Sequence, residues 1–347
     1  MHTDKLSSLV IGGLVADAAA LGLHWIYDPA RIAEVGGEAP EFLEPDRAAY
    51  KGVPAYFAHP GKTAGDLTHY GQQLMVALES LAATGGELDP SDYEQRFIAH
   101  FGPGGAWVGY IDYATRETLR NADDAERASL AAATQFDLGE HEKDRGLMQS
   151  KVMANIRQWR GEKLARAMEK AVRITHPDDD ELVRLGQAMA RAVEEAGGGF
   201  HGSDDVQLPA VSKLAAVVAC GADVEAAVRV TNNNDISVAG GHVVARLLQA
   251  AMDGGDWRTI AQEMADSGKP GPACPLDQSI PMMGSILVDA HSYEEGVRAN
   301  ILAGGDNAGR GTIIGAVLGA EYGVPDEWAE KTRAAPVAME LLDKLSS

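Results

Sequence analysis

The sequence contains few cysteines and has a deficit of positive charge. Of its 347 residues only Cys220 and Cys274 are cysteines, and they show no CxxC or Cys/His spacing. This argues against both a disulfide framework and a zinc site. Lysine and arginine number 30 against 51 acidic residues, giving a formal net charge of -21. Nucleic acid and anionic membranes are therefore poor partners, although a few local groups can still hold a ligand of nucleotide size.

Membrane and targeting signals are also scarce. We identify no apolar run that approaches the roughly 20 residues of a membrane span. The N-terminal residues 1–5 have neither the basic region nor the cleavage site of a convincing signal peptide. We therefore expect a soluble cytoplasmic protein, whose oligomeric state the sequence leaves open.

Several common catalytic and nucleotide-binding motifs are missing, including HExxH and G-x-S-x-G. Gly61–Thr63 resembles the end of a phosphate-binding loop, but Tyr56 stands where the first glycine is required. Gly197–Gly202 matches G-x-G-x-x-G, but it follows a helical pattern instead of a strand. We interpret it as a loop.

Apolar residues recur at the helical spacing of i, i+4 and i+7, as in Leu74, Leu78 and Leu81. The same pattern occurs at residues 164–171, 182–189, 211–218 and 244–251. No series of alternating strands is present. These patterns predict an all-α protein, and the absence of a flexible linker predicts a single domain over residues 1–347.

The segment Gly304-Gly305-Asp306 leads directly into a helix of small residues. The two glycines permit positive φ and a close approach of the backbone to a ligand. Asp306 would then lie at a helix N-terminus, where backbone N–H groups point outward. We expect Gly315 and Gly319 to let this helix pack closely against a neighbour.

Two polar residues follow in the same helix. Asn307 supplies a neutral oxygen, and Arg310 supplies a guanidinium suited to a carboxylate or phosphate. The alternatives for Arg310 are a surface position or an ion pair with Asp306 or another buried acid.

Polar residues also occur in two earlier segments. Asp17 is a carboxylate within an apolar helix, and capping of a neighbouring helix is the interpretation we favour. Asp66, Thr68 and His69 are plausible oxygen or nitrogen ligands of a metal ion. Asp66 or Thr68 is equally expected to start the next helix as its N-cap.

Aromatic residues accompany these polar segments. Trp25 could stack on a base or close the core, and Tyr110 could form one wall of an aromatic pocket. Asp112 is favoured as a residue of a first helical turn. Thr231–Asp235 forms a capping segment whose side chains could also bind sugar hydroxyls.

In the order of these segments, the chain resembles the ADP-ribosylglycohydrolase family. The resemblance spans residues 8 to about 325 and is carried by Gly12–Gly22, Thr68–Leu81, Thr231–Ala245 and Gly304–Asp306 with its Gly-x-x-x-Gly helix. It implies an all-α, single-domain orthogonal helical bundle. It also implies a cleft with two divalent cations, usually magnesium, and hydrolysis of an N- or O-glycosidic bond to ADP-ribose.

The first metal motif of this family, Thr-Asp-Asp-Thr, is altered here. It falls on Thr68, His69, Tyr70 and Gly71, so both acids are absent. A shifted register places Asp66 and Thr68 on the last acid and the last threonine, but the helix would then begin too early.

The second motif, Gly-Gly-Asp-x-Asp-Thr, is retained only in its first half, Gly304–Asp306. Ala308 and Gly309 stand where the second aspartate and the threonine belong, and His24–Ile26 replaces the family's Pro-x-Glu. Two adjacent magnesium ions need several carboxylate oxygens, so a divalent cation is possible but a dinuclear site is doubtful.

The resemblance leads to a hypothesis of a hydrolase of ADP-ribosyl glycosides with an altered or lost magnesium site. Asp306 would be the ligand or general base and His69 the base or ligand, with Asp306, Asp66 and Thr68 as the candidate metal ligands. The residues assigned to substrate binding are Trp25, Tyr70, Tyr110, Gly304, Gly305, Asn307 and Arg310. Two alternatives stay open: a non-catalytic ADP-ribose or nucleotide binder, and a metal-independent enzyme with a different substrate.

Overall fold

The computed structural model describes residues 5–122 and 201–345. The chain divides into two compact units, residues 1–116 with 203–347, and residues 117–202. The predicted helices at 164–171 and 182–189 and most of the glycine loop at 197–202 lie outside the described residues. A single domain over residues 1–347 stays a prediction.

The first unit is built from α-helices joined by loops. They are α1 (Lys5–Ala20), α2 (Pro29–Gly36), α3 (His69–Ala83), α4 (Pro90–Phe101), α5 (Leu214–Ala219), α6 (Val224–Thr231), α7 (Asp235–Asp253), α8 (Trp257–Asp266), α9 (Leu276–Asp289), α10 (Tyr293–Leu302), α11 (Asn307–Tyr322), α12 (Asp326–Lys331) and α13 (Ala335–Leu345). Short 3-10 turns occur at Leu21–Leu23, Arg47–Tyr50 and Leu208–Ala210. In the part of the chain that the structure describes, isolated bridges replace strands, so the all-α prediction is confirmed.

Helices α1 and α11 form the centre of this unit and pack antiparallel through small residues. A Cβ added at Gly315 would lie 2.2 Å from the Gly12 carbonyl oxygen and 2.4 Å from the Ala16 Cβ. A Cβ at Gly319 would lie 2.4 Å from the Ser8 carbonyl oxygen. The predicted close packing is confirmed, and it brings the C-terminal end of α1 beside the N-terminal end of α11.

Asp17 ties α3 to the end of α1. Its carboxylate accepts hydrogen bonds from the Thr68 N–H at 2.8 Å, the Thr68 hydroxyl at 2.5 Å and the Gly71 N–H at 3.1 Å. The interpretation of Asp17 as the cap of a neighbouring helix is therefore confirmed. Thr68 is itself the N-cap of α3, because its hydroxyl accepts from the Tyr70 N–H. The first turn of α3 is fixed beside both central helices.

The segment Lys5–Leu23 is long and apolar enough to cross a membrane, so the expectation that no such run exists was wrong. Most of this segment is buried inside the protein, near the N-terminus of the chain. The core helix of a soluble protein and a signal sequence both have this composition. A central helix has neighbours on every side, so it needs apolar residues on every face. This explains the apolar composition of the segment.

Candidate functional site

The turn before α11 has the backbone conformation predicted from its glycines. Gly304 and Gly305 have φ of 72° and 61°, in the region that favours glycine. The Gly305 N–H donates to the Ile26 carbonyl at 2.7 Å, and the Trp25 N–H donates to the Gly305 carbonyl at 2.8 Å. This pairing joins the turn to the segment that follows α1, and it aims Asp306 at His24.

The Asp306 side chain points into the protein and is only 1% exposed. Although Asp306 occupies the N-cap position of α11, its carboxylate does not cap the helix. Instead Oδ1 accepts from the Tyr70 hydroxyl at 3.0 Å and lies 3.1 Å from His24 Nε2. Burial raises the pKa of Asp306, but the interactions with the side chains of His24, Trp25 and Tyr70 outweigh burial and lower the pKa. The carboxylate is therefore ionised at neutral pH.

Two histidines extend this contact away from the carboxylate. His24 Nδ1 lies 2.7 Å from His59 Nε2, and both rings are buried. Burial lowers the pKa of His24, opposed by Asp306, and burial with the neighbouring His24 lowers the pKa of His59 further. Both imidazoles are therefore neutral at pH 7. Asp306, His24 and His59 form a continuous chain, which we call the imidazole chain.

Tyr70 supplies the second donor to Asp306 from the first turn of α3. Its hydroxyl also lies 3.1 Å from Cys274 Sγ. Burial and the charge of Asp306 raise the pKa of Tyr70, so the phenol stays protonated and able to donate. A Cβ at Gly309 would lie 3.0 Å from the Tyr70 ring. The tyrosine ring thus fills the space beside α11 that a side chain at position 309 would occupy.

His69 is buried in the same region but has a different polar partner. Its Nε2 lies 3.1 Å from Asp112 Oδ2. The Asp112 Oδ1 accepts from the Thr115 N–H at 2.7 Å. Asp112 therefore caps the helix that begins at the next residue, one position before the first turn in which it was expected. Burial raises the pKa of Asp112, but the interactions with His69 and Thr115 outweigh burial, so the pKa is lowered. The His69 ring centroid is 6.1 Å from that of His24, so this pair lies next to the imidazole chain.

Trp25 and Tyr110 come together in an aromatic cluster, as the pocket hypothesis requires. Their ring centroids are 4.8 Å apart in an edge-to-face arrangement, and Tyr56 lies 5.7 Å from Trp25. Trp25 has φ of 66°, an unusual conformation for a bulky residue, and the Tyr56 N–H donates to its carbonyl at 3.0 Å. Tyr56, which the sequence did not indicate, is 56% exposed. The cluster therefore extends from the buried imidazole chain to the surface.

Arg310 and Asn307 are fully buried and bonded within the protein. Arg310 donates to Asn300 Oδ1 at 3.1 Å and to the carbonyls of Pro272 and Gly304 at 2.8 and 2.6 Å. Burial lowers its pKa to about 10, opposed by the charge of Asp306. The guanidinium is thus neither at the surface nor in a direct ion pair with Asp306, and it braces the turn. Contact of Arg310 with a ligand stays a prediction.

Asn307 lies one residue beyond the turn, at the start of α11. Its amide donates to the Ile301 carbonyl at 3.3 Å and to the Leu23 carbonyl at 3.5 Å. Its Oδ1 is buried and has no partner among the described residues. Substrate binding by Asn307, like that by Gly304 and Gly305, stays a prediction.

The structure does not gather the three predicted metal ligands around one point. Asp66 accepts from the Thr63 N–H at 2.8 Å and lies 3.5 Å from Arg333, whereas Thr68 is bonded to Asp17. Across residues 5–122 and 201–345, no group of three or more His, Cys, Asp or Glu side chains could hold a metal ion.

The donor set around Asp306 also does not fit the family's two magnesium ions. Such a pair needs several carboxylate oxygens, which are hard ligands. Here Asp306 is the one acid of the altered motifs, and its Oδ1 is already occupied by an imidazole and a phenol. The Tyr70 ring fills the space at Gly309.

His59 and Lys213 are buried polar residues that sequence reasoning did not indicate. His59 lies in the long loop of residues 36–66 and belongs to no motif. Lys213 lies within the apolar helical pattern of residues 211–218, and a single lysine in such a pattern could have been recognised as a buried amine. Its amine donates to the Pro209 carbonyl at 2.6 Å and to the Thr231 hydroxyl. Burial holds the pKa of Lys213 well below its usual value.

Comparison with known proteins agrees with this architecture. The model of the ADP-ribosylglycohydrolase family matches residues 2–347. The chain belongs to this family. It is 24% identical to Crystallin J1B of Tripedalia cystophora, over 95% of this chain and 92% of that protein. It is also 24% identical to Crystallin J1A of the same organism, over 99% and 96%.

A solved structure described as an ADP-ribosylglycohydrolase-related protein complex has a similar fold. The TM-score is 0.55 at 16% sequence identity, and the match covers 99% of this chain and 96% of that one. The all-α fold that the resemblance implied is therefore shown for this family member.

Proposed function

We propose that this protein is a hydrolase that cleaves an N- or O-glycosidic bond of an ADP-ribosyl or related substrate without the dinuclear magnesium site of its family. Membership of the ADP-ribosylglycohydrolase family supports the reaction class. One observation supports the loss of the metal site. The aspartate retained from the family's second motif, Asp306, is held by an imidazole and a phenol instead of by further carboxylates.

Asp306 is suited to stabilise the charge that this reaction creates. Glycosidic bond cleavage develops positive charge at the anomeric carbon of the sugar, and a buried carboxylate stabilises that charge strongly. The hydrogen bonds from His24 and Tyr70 both use Oδ1, and the Trp25 side chain also acts on this carboxylate and lowers its pKa. We assign the charge of this carboxylate, whose orientation His24 and Tyr70 fix, to electrostatic stabilisation of the developing positive charge.

The aromatic cluster supports a substrate with a planar group. Trp25 lies against His24 with ring centroids 4.8 Å apart, so a ring stacked in the cluster would lie close to the imidazole chain. Tyr56 and Tyr110 supply further aromatic surface toward solvent. A nucleoside group is of the right chemistry for such stacking.

The test is release of ADP-ribose from ADP-ribosyl-arginine, ADP-ribosyl-serine and related glycosides by the protein in excess chelator. We expect cleavage of at least one substrate, and a loss of 100-fold or more in kcat for Asp306→Asn. Asp266→Asn, the same change at an exposed position of α8, is the matched control and should retain activity. The proposal fails if no glycoside is cleaved, or if cleavage requires added magnesium.

A second candidate is a non-catalytic binder of ADP-ribose or a related nucleotide. It is favoured by the partly exposed aromatic cluster and by the similarity to two proteins named crystallins. Calorimetry with ADP-ribose separates the two candidates. Binding without cleavage of any glycoside would favour the binder, whereas absence of binding by any nucleotide would exclude it.

A further inference from the structure

His59 has a buried nitrogen without a partner. The side chain is 1% exposed, its Nε2 contacts His24, and its Nδ1 has no hydrogen bond to any described residue. A buried polar atom left unpaired costs free energy, and such atoms are rare outside sites that receive a water or a ligand. The nitrogen therefore requires an explanation in terms of what it meets in the working protein.

The hydrogen bonds of the imidazole chain fix which nitrogens carry protons. Ionised Asp306 has no proton, so His24 Nε2 must donate to it. The neutral His24 ring then has a bare Nδ1, which accepts from His59 Nε2–H. The neutral His59 ring in turn has a bare Nδ1. The chain thus ends in a lone pair at His59 Nδ1, the only nitrogen of these two imidazoles that has no partner among the described residues.

We propose that His59 is the general base of the reaction, with Nδ1 receiving a proton from the attacking water, and that His24 and Asp306 orient it and stabilise the resulting charge. This inference rests on the proposed hydrolase function. An aspartate that holds a neutral imidazole in one tautomer and stabilises the imidazolium is an established way to make histidine a base. Here a second imidazole, that of His24, lies between Asp306 and His59.

The proton balance of the step is complete without a further reactant. His59 Nδ1 takes one proton of the water as its oxygen forms a bond to the anomeric carbon. The glycosidic bond breaks, and its electron pair leaves with the departing nitrogen or oxygen. The proton held on His59 Nδ1 is then returned to that leaving group, so the base ends neutral and one water has been consumed.

The surroundings of His59 keep it neutral over a wide pH range. Burial is the main cause, and the nearby His24, His69 and Lys62 each lower its pKa further. Lys62 lies on the same loop as His59, and its amine is 3.9 Å from the centre of the Trp107 ring. We therefore expect the acid limb of kcat to lie well below pH 6.5.

His59→Gln is the direct variant, because its amide can still donate to His24 Nδ1 but offers no base at the position of Nδ1. We expect a 100- to 10,000-fold loss of kcat with little change in KM, and loss of the acid limb. His242→Gln makes the same change on an exposed face of α7 and should behave as wild type. Lys62→Met should keep activity but move the acid limb to higher pH, which a purely structural His59 would not cause.

The nitrogen NMR signals of His59 test the proton placement independently of turnover. We expect a protonated Nε2 and a bare Nδ1 at neutral pH in the wild-type protein, and the opposite tautomer would overturn the proposal. Retained kcat in a folded His59→Gln variant would overturn it as well. If wild type cleaves no glycoside, the hydrolase function and the catalytic role fail together. The NMR result then shows whether the proton chain itself exists.

Discussion

Asp17 has the clearest measurable consequence for stability. It is fully buried and accepts three hydrogen bonds from the first turn of α3, yet its pKa is raised from 3.8 to about 6 because desolvation outweighs those bonds. A carboxyl whose pKa is raised on folding favours the folded state while it is protonated. That contribution is complete below the unfolded pKa and is lost as pH rises through the folded one.

The change Asp17→Asn removes this titration while keeping the shape of the side chain. A pKa difference of about 2 units corresponds to about 3 kcal/mol, of which about 2 kcal/mol falls between pH 4.5 and 7.5. As the pH rises from 4.5 to 7.5, the free energy of unfolding of the wild type should therefore fall by about 2 kcal/mol relative to that of the variant. The altered cap hydrogen bonds add a further cost to the variant at both pH values.

Urea unfolding of both proteins at pH 4.5 and 7.5 measures this difference directly. Taking the difference between the proteins cancels the titration of the other acids and histidines. Asp223→Asn makes the same change at an exposed cap of α6 and is the matched control for the loss of a capping carboxylate. A wild-type advantage that stays constant or grows with pH would refute the assignment of Asp17 as a desolvated cap.

Three further substitutions test the parts that position the site, each by urea unfolding. Gly315→Ala places a Cβ 2.2 Å from a backbone oxygen and should cost more than about 3 kcal/mol, whereas Gly255→Ala meets ordinary contacts at 3.4 Å and should cost little. Tyr70→Phe should cost about 1.5–3 kcal/mol at neutral pH, because a buried carboxylate loses a donor, and an unchanged stability would contradict that bond. Arg310→Lys should cost about 3 kcal/mol through lost hydrogen bonds to protein acceptors. Intact stability with weakened nucleotide binding would instead support Arg310 as a ligand clamp.

Local patterns in the sequence were sufficient for the all-α class and for the geometry of the Asp306 turn. Helical spacing identified α3 and α7, and two glycines before an aspartate indicated the positive φ values. The small residues at Gly315 and Gly319 indicated a close helix pair because only backbone contacts demand them at that spacing. Asp17 could be interpreted as a cap because a carboxylate in an apolar helix needs donors nearby.

The partners of Asp306 were harder to identify because they are distant in sequence. His24 was noted only as part of a helix-end segment, and His59 lies in a loop whose composition suggests nothing beyond a turn. Only the folded chain places these rings within hydrogen-bond distance. The pairing of His69 with Asp112 instead of with Asp306 depends in the same way on the orientation of the first turn of α3.

The central claim is that protein side chains, and not a pair of divalent cations, organise the carboxylate of Asp306. Titration of the chelated protein with Mn²⁺, followed by electron paramagnetic resonance of the free ion, tests it most directly. The account predicts no stoichiometric binding and the same titration curve for Asp306→Asn. Binding of one or two ions per chain that disappears in that variant would contradict it.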